Sequence, residues 1–379
     1  KRPRASGSFV KSKARLGEKY SDDEAMKLAI DIAYQGWGDV KSNPMVGCVV
    51  LNSEKKLVSF GYHEKYGEGH AEVNALKNVE ASQVEGGSIF VTLEPCSHYG
   101  KTPPCAELVR QFPFSRLVIG LMDPNPLVNG KGAMLVSEKG ILVETHSKYL
   151  QELEYQNSIF LTNMKEKRPF WAVKQGLSKD YKITGPEGKT ARVTNEHSRK
   201  EVYRLRHAFS CMSVSGKTLL QDSPKLSVVR EDQEYYPDLL VFCTDPNKYL
   251  ALDVPALTQR QAEQVCFLSP AKEFKVIKDN GFEFVQVNWQ DQDSILQMQQ
   301  YFYSTRKWSS IFVEPGAELF DFLWQQKVID RYYFFIGQNS QGSTAKSFSK
   351  HLNFEQDILR KLSVPQKNFS GDYFFEIDA

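Results

Sequence analysis

Apolar and polar positions in the first 150 residues fall into two periods. From Ser21 onward, Met26, Leu28, Ala29 and Ile32 recur at helical spacing, and Glu24 stands three residues after Ser21 as in a capped helix start. Residues 46–51 and 57–61 read as paired strands, and a helix opens at His70 with Val73 and Leu76 on its apolar side. Residues 88–93 form a third strand that delivers Glu94-Pro95-Cys96 at its carboxyl end, the edge where α/β sheets place their chemistry. Thr102-Pro103-Pro104 can cap and start a helix with Cys105 in its first turn, because proline is tolerated where amides have no helical partner. Residues 117–121 and 141–145 complete five strands, and Asp123-Pro124-Asn125-Pro126 is a turn-rich loop at the same edge. The alternation predicts a layered α/β domain over residues 21–147.

Residues 148–167, rich in Leu, Glu, Gln and Lys, predict a helical connector. After the break at Pro169 a strand begins at Phe170, and apolar runs at 239–243, 311–313 and 332–336 with helical segments between them predict a second α/β unit over 168–379. A chain of 379 residues is long for one core, so two domains agree with its length.

Composition narrows the class without changing the fold. The chain is 41% hydrophobic and 25% charged with net charge +2, which gives no electrostatic footprint for nucleic acid or a membrane surface. No apolar run reaches the length of a membrane span, and six cysteines in a chain of this size do not suggest a disulfide framework; a reducing compartment, the cytoplasm, is expected. Residues 1–20 hold seven Lys or Arg and one Glu and read as a flexible basic tail, with an RNA-binding arm or a targeting remnant as alternatives.

The chemistry lies in His70-Ala71-Glu72 and Pro95-Cys96 with Cys105. One imidazole and two thiolates are the ligand set of a catalytic zinc that leaves a position for water. Glu72, two residues past His70, can reach that water without being a ligand and serve as general acid and base, the His-x-Glu and Pro-Cys arrangement of zinc deaminases. Residues two apart do not share a face of a regular helix, so this works only at a helix start. A structural zinc or ordinary buried thiols would explain the cysteines alone; the two motifs in this order favour the hydrolase.

Eight residues separate Cys96 from Cys105, and with His98, Lys101 and Thr102-Pro103-Pro104 this segment resembles the deaminase half of the bifunctional riboflavin-biosynthesis enzymes, diaminohydroxyphosphoribosylaminopyrimidine deaminase fused to 5-amino-6-(5-phosphoribosylamino)uracil reductase. Asn43-Pro44-Met45-Val46-Gly47, Gly61-Tyr62-His63, Lys65-Tyr66-Gly67-Glu68 and Gly130-Lys131-Gly132 agree with it. The resemblance implies a cytidine-deaminase-like three-layer domain, zinc on His70, Cys96 and Cys105 with Glu72 catalytic, and Asn43, His63, His98, Lys101, Asp123 and Asn125 around a phosphorylated pyrimidine. It also implies a homo-oligomer.

The second half resembles the reductase half through Arg168-Pro169-Phe170, Lys174, Ser178-x-Asp180, Arg204-Leu205-Arg206, Gly216-x-Thr218, Asp222-x-Pro224-x-Leu226 and Val313-Glu314-x-Gly316. This implies a dihydrofolate-reductase-like α/β domain, Gly176, Thr218 and Asp222 facing NADPH, and Arg206, Leu226, Arg230 and Glu314 lining the ribosyl substrate. Several positions depart from the pattern. Tyr181, Arg192, Ser215 and Pro315 replace a usual Gly, Trp, Gly and Gly, Arg230 lies one residue late, and the usual Ala-Pro-x-x-x-Gly run is not recognisable after Tyr332. Four readings stay open: deaminase with reductase, deaminase with a reductase-like scaffold, a polynucleotide deaminase, and a non-catalytic zinc-stabilised protein.

Overall fold

A computed structural model describes residues 14–99, 103–125, 128–230, 233–361 and 367–378. The chain divides between Glu166 and Lys167 into two compact units.

The first unit begins with α1 (Asp22–Ala33), whose start has the full capping box: Ser21 Oγ accepts from the Glu24 N–H, and the Glu24 carboxylate accepts from the Ser21 N–H. Strands β1 (Gly47–Leu51) and β2 (Leu57–Tyr62) follow, then α2 (Ala71–Leu76), β3 (Ser88–Leu93), α3 (Cys105–Val109), β4 (Arg116–Leu121), α4 (Lys131–Ser137) and β5 (Leu142–Thr145). The sheet order is β2-β1-β3-β4-β5; β1 is antiparallel to both neighbours, and β3, β4 and β5 are parallel. Every residue of β1 is buried, as are residues 89–93 of β3 and 117–121 of β4, because helices cover both faces of the sheet. The buried stripe of α1, with Met26, Leu28, Ala29 and Ile32, enters the same core. The Ser59 hydroxyl donates to the Ala75 carbonyl at 2.7 Å and fixes α2 on β2.

The stretch expected as a connector forms α5 (Leu150–Gln156) and α6 (Ser158–Glu166). It is no free spacer: α5 packs on β4, Leu153 is fully buried in the first core, and Gln156 Nε2 donates to the Ile30 carbonyl at 3.0 Å.

The second unit runs β6 (Phe170–Leu177), α7 (Glu196–His207), β7 (Cys211–Ser215), α8 (Gly216–Asp222), β8 (Val228–Arg230), β9 (Gln233–Tyr235), β10 (Asp238–Phe242), α9 (Pro255–Thr258), β11 (Val265–Pro270), β12 (Lys275–Asp279) and β13 (Phe282–Val287). It continues with α10 (Gln292–Ser304), β14 (Ser310–Val313), α11 (Ala317–Gln326), β15 (Arg331–Ile336), β16 (Lys367–Phe369) and β17 (Asp372–Asp378). Ten strands form one sheet in the order β12-β13-β11-β10-β7-β14-β6-β15-β17-β16, and β8 and β9 pair separately. The central strands β7, β14, β6 and β15 are mutually parallel where they pair and almost wholly buried. At the edge, β12 exposes Lys275, Lys278 and Asp279, charges that discourage pairing with another sheet.

After β15 the chain is sewn across the turn that follows β6. The Gln341 and Gly342 amides donate to Asp180 at 3.0 and 2.8 Å, the Ile183 amide to the Lys346 carbonyl at 2.9 Å, and the Phe348 amide to the Tyr181 carbonyl at 3.2 Å. Within this stretch Gly342 takes a left-handed backbone at φ +85°.

Candidate active site

The end of β3 and the starts of α2 and α3 bring His70, Cys96 and Cys105 together. His70 is the residue that caps α2, with extended backbone at φ −71°, ψ 167°, so its imidazole leaves the helix sideways rather than along a helical face. Cys105 is the first residue of α3, after Pro104 at φ −59°. His70 Nδ1 lies 3.6 Å from Cys96 Sγ and 3.3 Å from Cys105 Sγ, and the three ligand atoms are within 4.8 Å of one another. A tetrahedral zinc with bonds of roughly 2.0–2.3 Å requires ligand pairs about 3.5 Å apart, so the donor set fits that ion in chemistry and spacing. The Cys105 amide donates to Cys96 Sγ at 3.2 Å. The Cys105 thiol donating to it, helped by His70, pulls Cys96 down to about 4, while Cys105 is raised by the same shared proton.

Glu72 follows in the first turn of α2 and is 3% exposed. Burial pushes its carboxyl up to about 7, and the neighbouring Cys96 sulfur adds to the rise. A carboxyl with this ionisation can gain or lose a proton near neutral pH, the property a proton shuttle requires.

Around these groups the structure places Asn43, His63, Asp123, Asn125 and His98 in different settings. His63 is 3% exposed, its Nδ1 lies 3.1 Å from the Gly69 carbonyl, and its ring stands edge-on to that of His70 with centroids 5.5 Å apart. The Gly69 carbonyl can only accept, so Nδ1 carries the proton and Nε2 accepts from Asn43 Nδ2 at 3.0 Å. Burial lowers the pKa of this neutral ring. Asp123 is half-buried and its pKa is raised, first by burial; its Oδ1 accepts from the Asn125 amide at 2.8 Å. His98 is exposed, and Lys101 lies outside the described residues.

In the second unit Gly176, Arg206, Thr218, Asp222, Leu226 and Glu314 line one cavity of about 1080 Å³. Its floor holds an ion triad: Glu314 accepts from Arg206 Nε at 2.6 Å and pairs with Lys174 Nζ at 2.9 Å. Burial alone would raise the Glu314 carboxyl, but Arg206 and Lys174 outweigh it and hold it at about 2. Arg230 is not among the lining residues; its Nη1 bonds His207 Nε2 at 2.6 Å.

The altered positions carry compensations. Tyr181 has φ +59°, a conformation glycine takes without cost, and its ring stacks on Phe354 with centroids 4.6 Å apart. Ser215 caps α8 through the Thr218 amide, and Arg192 is exposed. The cavity also presents Gln175, a 2%-exposed side chain whose carbonyl oxygen has no donor among the described residues. Volume, polar lining and this unpaired acceptor fit a nicotinamide dinucleotide.

Two residues that organise the first site escaped sequence reasoning. Glu94 accepts four backbone amides, and Asn157 pairs with the Met45 backbone. The first leaves a faint signal, an acidic residue directly after a buried strand; the second leaves none.

A His, two Cys and a buried Glu on a five-stranded α/β sheet define a zinc-dependent deaminase of the cytidine-deaminase type, here followed by a second α/β unit. The model of the cytidine and deoxycytidylate deaminase zinc-binding region matches residues 19–121, and that of the RibD C-terminal domain matches residues 169–367. The riboflavin biosynthesis protein RibD of Aquifex aeolicus is 30% identical over 322 residues, which cover 85% of this chain and 88% of that protein. With the RibD proteins of Bacillus amyloliquefaciens and Actinobacillus pleuropneumoniae identity is 38%, but the matches span little more than half of those proteins, 58% and 54% of their length. Among solved structures, Acinetobacter baumannii RibD aligns with TM-score 0.75 at 26% identity, covering 94% of this chain and 98% of that one. The Thermotoga maritima diaminohydroxyphosphoribosylaminopyrimidine deaminase/5-amino-6-(5-phosphoribosylamino)uracil reductase aligns with TM-score 0.73 at 26% identity, covering 93% and 97%. The chain belongs to the RibD family.

Proposed function

We propose that the first unit hydrolyses the 2-amino group of a phosphoribosylamino-diaminopyrimidine to a carbonyl with release of ammonia. The second unit then reduces the ribosyl side chain of that product with NADPH, two consecutive steps towards riboflavin. The carrying observation is the convergence of His70 Nδ1 and the Cys96 and Cys105 sulfurs beside a buried Glu72.

His70, Cys96 and Cys105 would hold the zinc, which when bound would supply a water acidic enough to act as a nucleophile at neutral pH. Glu72 would take one proton from the attacking water and give it to the ring nitrogen, then take the second from the new hydroxyl and give it to the departing amine, so that the carbonyl forms, ammonia leaves and the carboxylate is restored. The neutral His63, fixed between Asn43 and Gly69, braces the ligand imidazole, and Asp123 and Asn125 offer polar groups to the ring. Gly176, Thr218 and Asp222 are assigned to NADPH, and Arg206, Leu226 and Glu314 to the ribosyl substrate. About one zinc per chain and ammonia release from the diaminopyrimidine are expected; absence of both rejects the assignment.

A second reading draws on Arg230, which bonds His207 instead of lining the cavity. In it the second unit is a scaffold that binds ligand without hydride transfer. NADPH absorbance recorded with the deaminated product decides, since the scaffold forbids consumption. We also assign the chain to the cytoplasm as a homo-oligomer, supported by six unpaired cysteines, two of them assigned to zinc, and by the family resemblance. Sedimentation equilibrium tests the assembly.

A further inference from the structure

We propose that Glu94 is a positioning residue that fastens Asp123 and the start of α4 to the metal-ligand turn and thereby sets substrate affinity at the deaminase site, an inference that rests on the deaminase reading above. Glu94 directly follows β3, two residues before Cys96, and is 5% exposed. Its Oε1 accepts the amides of Gly132 and Ala133 at 2.9 and 3.2 Å. Its Oε2 accepts those of Gly130 and Asp123 at 3.0 and 3.2 Å. A carboxylate offers about four acceptor sites and no donor, so these four amides fill it.

The donors are what give the contact its function. Asp123 opens the loop that bears Asp123 and Asn125, while Gly130, Gly132 and Ala133 close it and begin α4, which has no side-chain cap of its own. One side chain therefore joins both ends of the loop to the sheet. Gly132 adds a second contact, because a Cβ there would stand 1.9 Å from the Pro95 carbonyl oxygen. The first turn of α4 thus rests on the residue between Glu94 and Cys96. Asn129 Nδ2 donates to the Asp123 carbonyl at 2.8 Å, a brace between the two sides that Glu94 also joins.

An ordinary helix cap would affect only stability. A positioning role makes a separate claim, since among the described residues no hydrogen bond joins Glu94 to the side chains of His70, Cys96 or Cys105: zinc should remain while substrate binding weakens. Glu94→Gln tests this, because an amide keeps the shape but turns two acceptors into donors facing other donors. We expect about one zinc per chain, a KM for the diaminopyrimidine raised tenfold or more with kcat changed less than threefold, and faster amide exchange at residues 123, 130, 132 and 133. An unchanged KM in a zinc-loaded variant overturns the proposal. If Glu94→Gln does not fold, Glu94→Asp, which keeps the charge but withdraws it by one methylene, decides by the same measurements. Loss of zinc or fold in both variants also overturns it, since Glu94 would then be purely structural. Wild-type protein that releases no ammonia defeats the deaminase reading instead, and amide exchange still reports whether Glu94 fastens the loop.

Discussion

The side-chain amide of Asn157 pairs with both backbone groups of Met45: Oδ1 accepts from the Met45 amide at 2.8 Å, and Nδ2 donates to the Met45 carbonyl at 3.2 Å. Met45 follows Asn43 by two residues, and Asn43 bonds His63, which stands against the ligand His70. The junction of α5 and α6 therefore supports the segment bearing Asn43, beside His63 and His70, from 112 residues away in sequence.

Asn157→Leu should leave two buried polar groups at Met45 without partners and cost about 1–3 kcal/mol. Thermal unfolding monitored on the whole chain will show a lower midpoint, accompanied by a raised KM for deamination. An unaltered KM would mean that the pairing holds the helix alone.

Glu72→Gln should retain zinc and lose ammonia release by roughly 10²–10⁴-fold, the usual contribution of a general acid and base. Metal analysis and an ammonia assay on the same preparation are sufficient, and turnover at wild-type rate would remove Glu72 from the chemistry.

Glu314 gives acid stability a defined form. Its folded pKa of about 2 lies below the ordinary carboxylate value, so its contribution is complete above about pH 4.5 and is lost as pH falls through 2. The depression corresponds to roughly 3 kcal/mol, on the order of 1.4 kcal/mol for each unit of pKa. In denaturant titrations at several pH values, the stability gap between wild type and Glu314→Gln should be constant from pH 7 to 5 and narrow towards pH 2. A gap that does not vary with acid would break the link to the Lys174 and Arg206 pairs.

At position 181 two substitutions separate backbone strain from packing. Tyr181→Ala loses the ring contact with Phe354 and keeps the left-handed backbone, whereas Tyr181→Gly loses the ring but relieves the strain. The alanine variant should therefore be the less stable by about 1 kcal/mol, read as the difference in denaturation free energy. Equal stabilities would show that the left-handed conformation carries no cost here.

Local signals were the legible ones. Ser21 with Glu24 marked a helix start that formed as expected, apolar runs marked β1 to β5, and the two motifs bearing His70 and the cysteines pointed to three ligand atoms that the fold brings within 4.8 Å of one another. Relationships between distant positions were not legible. Asn157 and Glu94 act by hydrogen bonds to backbone, which any residue can supply, so nothing in the sequence marks their partners. The hairpin of β16 and β17 closes the sheet far from the strands it extends, and the turn of Arg230 towards His207 depends on which face of β8 it occupies.

The stitching of residues 339–348 across the β6 turn bears on how this protein can be cut or extended. A stretch without a long helix or strand invites use as a site for tags, domain insertion or limited digestion, yet here the backbone of Asn339, Gln341, Gly342, Lys346 and Phe348 is bonded to the β6 turn, and Lys346 and Ser347 line the cavity. A graft placed there would pull Lys346, Ser347 and Ser349 out of the lining together, so the tolerant junctions of this chain lie elsewhere on its surface.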